Sequence, residues 1–219
     1  MTRTKKVVPS ILTEDPRALK TMVRQAEGFA DYVQFDIMDG RFVPSRSITY
    51  QDLVAIPIRF DWEAHLMVER PEDYLDNFRE AGAKRVVFHY EAKSSARSVI
   101  LRARRLGLAV GLAVNPETEV AAFLPLVEAV DSVLFLAVHP GFYGSQFIPK
   151  VLDKVAELRK SQPAMEIGVD GGIKASNIVQ VAGRQVDLLY VGSDIFLQPD
   201  PAERYRTLMT LVNKASVRF

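Results

Sequence analysis

The chain has no cysteine among its 219 residues. That excludes disulfides, thiolate zinc sites and a cysteine nucleophile, leaves any metal to nitrogen and oxygen ligands, and fits a reducing cytoplasm. An excess of one charge is also missing. Lys plus Arg number 28 against 27 Asp plus Glu, a net charge of +1, so no broad field exists for gripping nucleic acid or an anionic membrane. The opening Met1-Thr-Arg-Thr-Lys-Lys6 leads into a short apolar run before Thr13 and Glu14. No stretch approaches the ~18 apolar residues of a membrane span, so neither a secretion nor a membrane signal is expected. What is present suits a folded globular chain: 48% hydrophobic and 25% charged residues supply a sizeable core and argue against disorder. The length fits one large domain or two small ones, with one core as the default.

Short apolar runs alternate with amphipathic stretches from end to end. Eight runs stand out: Val7–Leu12, Tyr32–Met38, Asp61–Met67, Arg85–Tyr90, Ala109–Val114, Ser132–Val138, Glu166–Val169 and Leu188–Val191. Several are apolar on successive residues, as strands covered on both faces require, which predicts a parallel sheet. Between them the spacing predicts helices over Pro16–Phe29, Ser47–Ile56, Pro71–Ala81, Ala96–Leu106, Glu119–Val130, Lys150–Lys160, Ala175–Val181 and Pro201–Lys214, with Ser47–Ile56 the least regular. Pro16, Pro71 and Pro201 suit first turns, and Gly82, Gly107 and Gly183 suit helix ends. Eight strand–helix units without a linker predict an α/β fold, a single-domain (β/α)8 TIM barrel of the phosphate-binding type over residues 1–219, ahead of a doubly wound sheet. Asp36, Asp39, His65, His89, Glu91, Asn115, His139, Asp170 and Ser193 fall at or just beyond strand C-terminal ends. In a barrel those ends form one mouth, where active sites are built.

Period two puts Gln34, Asp36 and Met38 on one face of the second strand, and Glu63, His65 and Met67 on one face of the third. Asp36 reads either as a used carboxylate or as a satisfied structural acid, with Asp39-Gly40 a plain turn. His65 reads either as a functional group or as a hydrogen-bonded core histidine. Asp170-Gly171-Gly172 lets backbone N–H groups approach an anion, or is a common turn. Gly192-Ser193 follows the eighth strand, and the loops after strands seven and eight are a frequent phosphate seat. His139-Pro-Gly141-Phe-Tyr143-Gly144-Ser145-Gln-Phe147 reads as a lid or as a turn. Two strand-end carboxylates, a histidine and a paired phosphate loop point to proton transfer on a phosphorylated carbonyl compound. Acids on opposite faces of one carbon would epimerise it, the enediolate being held by a metal ion or by preorganised donors.

Pro9-Ser-Ile-Leu12, Asp36-Ile-Met-Asp-Gly-Arg-Phe-Val-Pro44, His65-Leu-Met-Val68, His89-Tyr-Glu91, Asn115-Pro116, Pro140-Gly-Phe142, Val169-Asp-Gly-Gly-Ile173 and Gly192-Ser193 occur in this order. Together they resemble the ribulose-phosphate 3-epimerase family from end to end. The resemblance implies a cytoplasmic isomerase of the pentose phosphate pathway in carbohydrate metabolism. It would interconvert ribulose 5-phosphate and xylulose 5-phosphate, with a phosphorylated ketose as its partner, no nucleic acid or membrane partner, and a homo-oligomeric assembly. It implies Asp36 and Asp170 as paired acid and base and as metal ligands, with His65 a third ligand, for a divalent cation such as Zn, Fe, Mn or Co. Ser10, Met38, His65 and Met67 would meet substrate. Gly144, Gly171, Gly172, Gly192 and Ser193 would hold phosphate, and Gly141 lies in the loop Pro140–Phe147 that would close over it.

Several positions depart from the family pattern. Gln34 stands two residues before Asp36 where a histidine is usual, and an amide oxygen is a poorer ligand for zinc or iron, so metal affinity should drop or shift toward harder ions. Either His89 or His139, the latter in place of a usual Asn or Glu, is a candidate to fill that gap. Leu136 replaces a methionine, Arg41 a histidine, and the lid reads Gly-Phe-Tyr143-Gly-Ser145 in place of Gly-Phe-Gly-Gly-Gln. These changes leave two alternatives open: a 3-epimerase of a hexulose 6-phosphate, and a sugar-phosphate-binding paralogue with a lost metal site and little activity.

Overall fold

The structure, a computed structural model, describes residues 5–141 and 146–216. Eight strands close into a barrel: β1 (Lys6–Ile11), β2 (Tyr32–Met38), β3 (Asp61–Met67), β4 (Arg85–His89), β5 (Ala109–Val114), β6 (Ser132–Leu136), β7 (Glu166–Asp170) and β8 (Leu188–Val191). Each pairs in parallel with its sequence neighbours, and β8 returns to β1. The helices are α1 (Pro16–Ala26), α2 (Tyr50–Val54), α3 (Leu75–Glu80), α4 (Ala96–Arg105), α5 (Val120–Phe123), α6 (Val151–Ser161), α7 (Ile178–Ala182), α8 (Ser193–Phe196) and α9 (Pro201–Ser216).

Both faces of the strands are buried, which is why their sequences read as near-continuous apolar runs. In β2, Val33, Phe35 and Ile37 face outward into the large core beneath the helices. Inside the barrel, Val8, Val87, Ala113, Leu134, Leu136, Leu188 and Tyr190 form a second apolar cluster. Helix α1 shows how the outer layer forms. The Asp15 side chain accepts from the Arg17 N–H at 2.9 Å and Pro16 opens the first turn. Leu19, Val23 and Ala26 then recur every three or four residues and face the strands.

Two expected helices are interrupted. Pro71–Ala81 begins as a 3₁₀ turn, Pro71–Asp73, before α3. There Arg70 pairs with both Glu72 and Asp73, and Glu72 accepts from the Ser94 hydroxyl, so the first turn is pulled tight from outside. Glu119–Val130 divides into α5 and a 3₁₀ segment, Leu124–Ala129. Pro125 has no N–H to continue an α-helical ladder. Helix α8 is not among the expected helices, because four residues carry too little periodicity to register.

The N-terminal end of the barrel interior is polar but paired. Tyr32 donates its hydroxyl to Glu63 Oε2 at 2.8 Å, and Arg85 lies 3.5 Å from Glu63 and 2.8 Å from Glu166. Burial pushes the Glu63 carboxyl up while Arg85 pulls it back. Gly168 leaves the room that the Tyr190 ring fills: a Cβ there would sit 2.7 Å from Tyr190 Cε2.

Candidate active site

At the opposite end, Ser10, Gln34, Asp36, His65 and Asp170 converge from β1, β2, β3 and β7. The register explains the meeting, since Ser10 lies beside Gln34 and Asp36 beside His65. Ser10 donates its hydroxyl to Asp36 Oδ2 at 2.6 Å, and His65 Nδ1 meets Asp36 Oδ1 at 2.8 Å. The Gln34 amide nitrogen donates to Asp36 Oδ1 and to Asp170 Oδ2, both at 3.1 Å, and lies 3.4 Å from Ser10 Oγ. Two carboxylates from distant strands of the chain are thus joined through one amide group.

No Lys or Arg hydrogen-bonds to either acid among the described residues. Burial first, and the Asp36 carboxylate second, push the Asp170 carboxyl up to about 7, into the range where an acid can give and take a proton at neutral pH. For His65, burial opposes charge, but the hydrogen bond and charge of Asp36, with Asp170 and Glu63 behind, prevail and raise its basicity. The other ring nitrogen of His65 lies 3.0 Å from His89 Nε2. His89 is driven by burial down to about 4, so it is the neutral partner and accepts the His65 Nε2 proton. Its Nδ1 contacts Glu91 Oε2 at 3.3 Å, and Glu91 is anchored by the Asn115 N–H at 2.9 Å and by the Thr118 hydroxyl. Met38, Met67 and Val43, with Leu12 and Phe42, form the apolar wall of the mouth.

Beyond the acids, the pocket runs to Gly171, Gly172, Gly192 and Ser193 and is flanked by Gly141. Gly171 at φ +103° and Gly172 at φ +66° hold conformations that side chains resist. Space excludes them too: a Cβ at Gly171 would lie 2.4 Å from Val138 Cγ2, and one at Gly172 2.7 Å from the Phe147 nitrogen. Two tethers keep this seat in shape. Asn177 donates its side-chain amide to the Gly172 carbonyl at 3.0 Å, and Asp194 accepts from the Ala175 N–H at 2.9 Å, tying the loop after β7 to that after β8.

The structure brings Ser10, Asp36, Met38, His65, Met67, Gly141, Asp170, Gly171, Gly172, Gly192 and Ser193 to one pocket. Gly144, with the Phe142–Ser145 part of the expected lid, lies outside the described residues. Neither spare histidine reaches the two acids: His89 stacks beside His65, and His139 is exposed and paired with Glu117 at 3.0 Å. Asp39 serves its turn, accepting from the N–H groups of Arg41, Phe42 and Glu69. Sequence reasoning does not single out Tyr190, Asn177 or Asp194. Tyr190 is findable, because it precedes Gly192 by two and so shares its inward face. The tethers carry no comparable local signal.

Asp36, His65 and Asp170 each offer a ligand atom within 4.8 Å of the others, close enough to share one cation. Two carboxylates and an imidazole make a donor set for a hard or borderline divalent ion. At the fourth corner Gln34 presents its nitrogen rather than a ligating oxygen. Three positions thus offer ligand atoms, and the fourth offers one only if its amide turns over.

A sequence model described as the Ribulose-phosphate 3 epimerase family matches residues 6–196. The chain belongs to this family. The ribulose-phosphate 3-epimerase of Schizosaccharomyces pombe is 35% identical over 218 residues, covering 96% of this chain and 95% of that protein. That of Aquifex aeolicus is 34% identical over 218 residues, covering 96% and 98%. Among solved structures, 3-hexulose-6-phosphate synthase from Salmonella typhimurium superposes with a TM-score of 0.74 at 18% identity, covering 96% of this chain and 99% of that one. KGPDC from Streptococcus mutans reaches 0.75 at 12% identity, covering 96% and 98%. At such identities these two establish the barrel alone. Within this epimerase-family barrel the departures noted in the sequence separate by place. Gln34 and Leu136 line the interior beside the acids, whereas Arg41 and His139 are exposed. No helix among the described residues is long and apolar enough to cross a membrane.

Proposed function

We propose that this enzyme, an isomerase of the epimerase family, inverts C3 of ribulose 5-phosphate to give xylulose 5-phosphate, and the reverse, through Asp36 and Asp170. The observation that carries the reading is a pair of buried carboxylates joined by the Gln34 amide, with no Lys or Arg hydrogen-bonded to either among the described residues, beside a glycine-lined phosphate seat. One acid removes the C3 proton from one face, an enediolate forms, and the other returns a proton to the opposite face. Asp170, protonated near neutrality, is the donor in one direction and Asp36 the base; the roles exchange in the other. Ser10 orients Asp36, and Met38 and Met67 exclude water from the enediolate. The backbone N–H groups of Gly171, Gly172, Gly192 and Ser193 take the phosphate. Asp36, His65 and Asp170 are the residues that would hold a divalent cation, which when bound would offset the charge of the enediolate.

The reading takes residues 1–219 as one barrel domain working as a cytoplasmic homo-oligomer. A rice relative described as the cytoplasmic isoform, 35% identical over 205 residues, supports that location. The test is NMR of ribulose 5-phosphate in deuterated buffer. Loss of the C3 proton signal and growth of xylulose 5-phosphate are expected. A substrate spectrum unchanged with and without added Mn, Co, Fe or Zn refutes the proposal.

A further inference from the structure

Gln34 is fully buried, and its two terminal atoms live in opposite environments. The nitrogen has three acceptors: Asp36 Oδ1 and Asp170 Oδ2 at 3.1 Å each, and Ser10 Oγ at 3.4 Å. The oxygen, Oε1, accepts no hydrogen bond among the described residues. Turning the amide over would aim that oxygen at two carboxylates. The acceptors on one side therefore fix which way the group points. An amide nitrogen has its lone pair delocalised and cannot ligate a metal, but its two N–H bonds carry partial positive charge, one for each acid.

The neighbours are satisfied in the same closed fashion. Both ring nitrogens of His65 are engaged, one by Asp36 at 2.8 Å and one by His89 at 3.0 Å, and the second oxygen of Asp36 is held by Ser10 at 2.6 Å. A cation bridging the acids would have to compete with the Gln34 N–H groups for both carboxylates and expel the proton that His65 Nδ1 shares with Asp36. The Gln34 nitrogen thus spans the two carboxylates as a donor belonging to the chain, with His65 Nδ1 2.8 Å from Asp36 and 3.7 Å from Asp170.

We propose that the Gln34 amide nitrogen takes the place of a bridging cation, holding Asp36 and Asp170 in working register so that proton transfer at C3 proceeds without a bound metal. This rests on the epimerase reading above and assigns Gln34 as a positioning residue. Its N–H groups keep two mutually repelling carboxylates at a fixed separation across the substrate carbon. A side chain of the same length without donors loses that hold. An imidazole in the same position brings back a ligand and, with it, a requirement for metal.

The experiment uses full-length protein stripped with chelator, its substoichiometric metal content verified by elemental analysis, and C3 proton exchange on ribulose 5-phosphate as the readout. Stripped wild type should turn over at the rate of protein supplemented with Mn, Co, Fe or Zn. Gln34→Met, with its folding checked by thermal melting, should lose ~100-fold in kcat at unchanged KM, the range of a misplaced acid–base pair. Gln34→His should bind metal stoichiometrically, be slow when stripped and recover on reloading. A merely structural glutamine would not change the metal requirement. If stripped wild type is inert and metal restores it, the proposal is overturned while the epimerase reading stands. If wild type is inert in both forms, both fall. If folded Gln34→Met keeps its kcat, the proposal is overturned whatever the metal does. Should Gln34→Met fail to fold, wild type and Gln34→His still decide it.

Discussion

The two ends of the barrel interior both bury carboxylates, and they treat them in opposite ways. At the N-terminal end Glu63 has Arg85 at 3.5 Å and the Tyr32 hydroxyl at 2.8 Å, while Arg85 also reaches Glu166 at 2.8 Å. Charge is answered by charge there. At the mouth Asp36 and Asp170 are met by a hydroxyl, an imidazole and an amide, with no Lys or Arg hydrogen-bonded to either among the described residues. A buried acid next to another acid is costly unless one of them carries a proton. The lesson is that one barrel holds two polar layers of like burial, one settled for stability and one left poised to move a proton.

The sharpest way to break this contrast is Asp170→Asn. It removes the mobile proton, and turnover should fall by ~10³-fold while the fold persists. Stability should move the other way. The folded-state affinity of Asp170 for its proton is raised above the unfolded value, so the stability it contributes is full below about pH 4 and lost as pH rises through about 7. Asparagine undergoes no such loss. Asp170→Asn should therefore be more stable than wild type at pH 8, by roughly 2–4 kcal/mol, with the gap closing toward pH 4; urea unfolding across that range checks it.

The matching change at the base is Arg85→Met. It strands Glu63 in the interior without its cation, and about 3–5 kcal/mol of stability should be lost while the KM of the folded fraction stays put. Denaturant midpoints and steady-state kinetics on the same samples separate the two ends. The smallest expected effect comes from Asp194→Ala, which removes the tether to the Ala175 N–H. Losing about 1 kcal/mol of loop order should raise KM for the sugar phosphate about fivefold with kcat unaltered.

Much of the barrel is legible in the sequence because each of its strands is short, buried on both sides and punctuated by glycine or aspartate. The bounds expected for β2, β3, β5 and β8 coincide with those observed. The helical layer is less legible where one residue outweighs a periodic pattern, as Pro125 does within Leu124–Ala129. For the site, period two along β2 and β3 predicts that Gln34, Asp36 and Met38 share a face, and that Glu63, His65 and Met67 do. What it does not carry is contact across the barrel. That Gln34 reaches Asp170 depends on closure of the whole sheet, and which end of its amide points inward depends on where three acceptors come to lie. His89 is a candidate substitute ligand by sequence, yet its ring turns to His65, because Phe42 covers its flank at 4.8 Å and Glu91 holds its far nitrogen.

Tyr190 stands between the two layers. Its ring, admitted by the missing side chain of Gly168, lines the substrate pocket from below, and its hydroxyl lies beside Glu63. The floor of one compartment is thereby the ceiling of the other. Any residue larger than glycine at position 168 would lift that floor, shrinking the room for the sugar and uncovering the acid beneath it in a single displacement, so the width of the chamber and the durability of the barrel are inherited together.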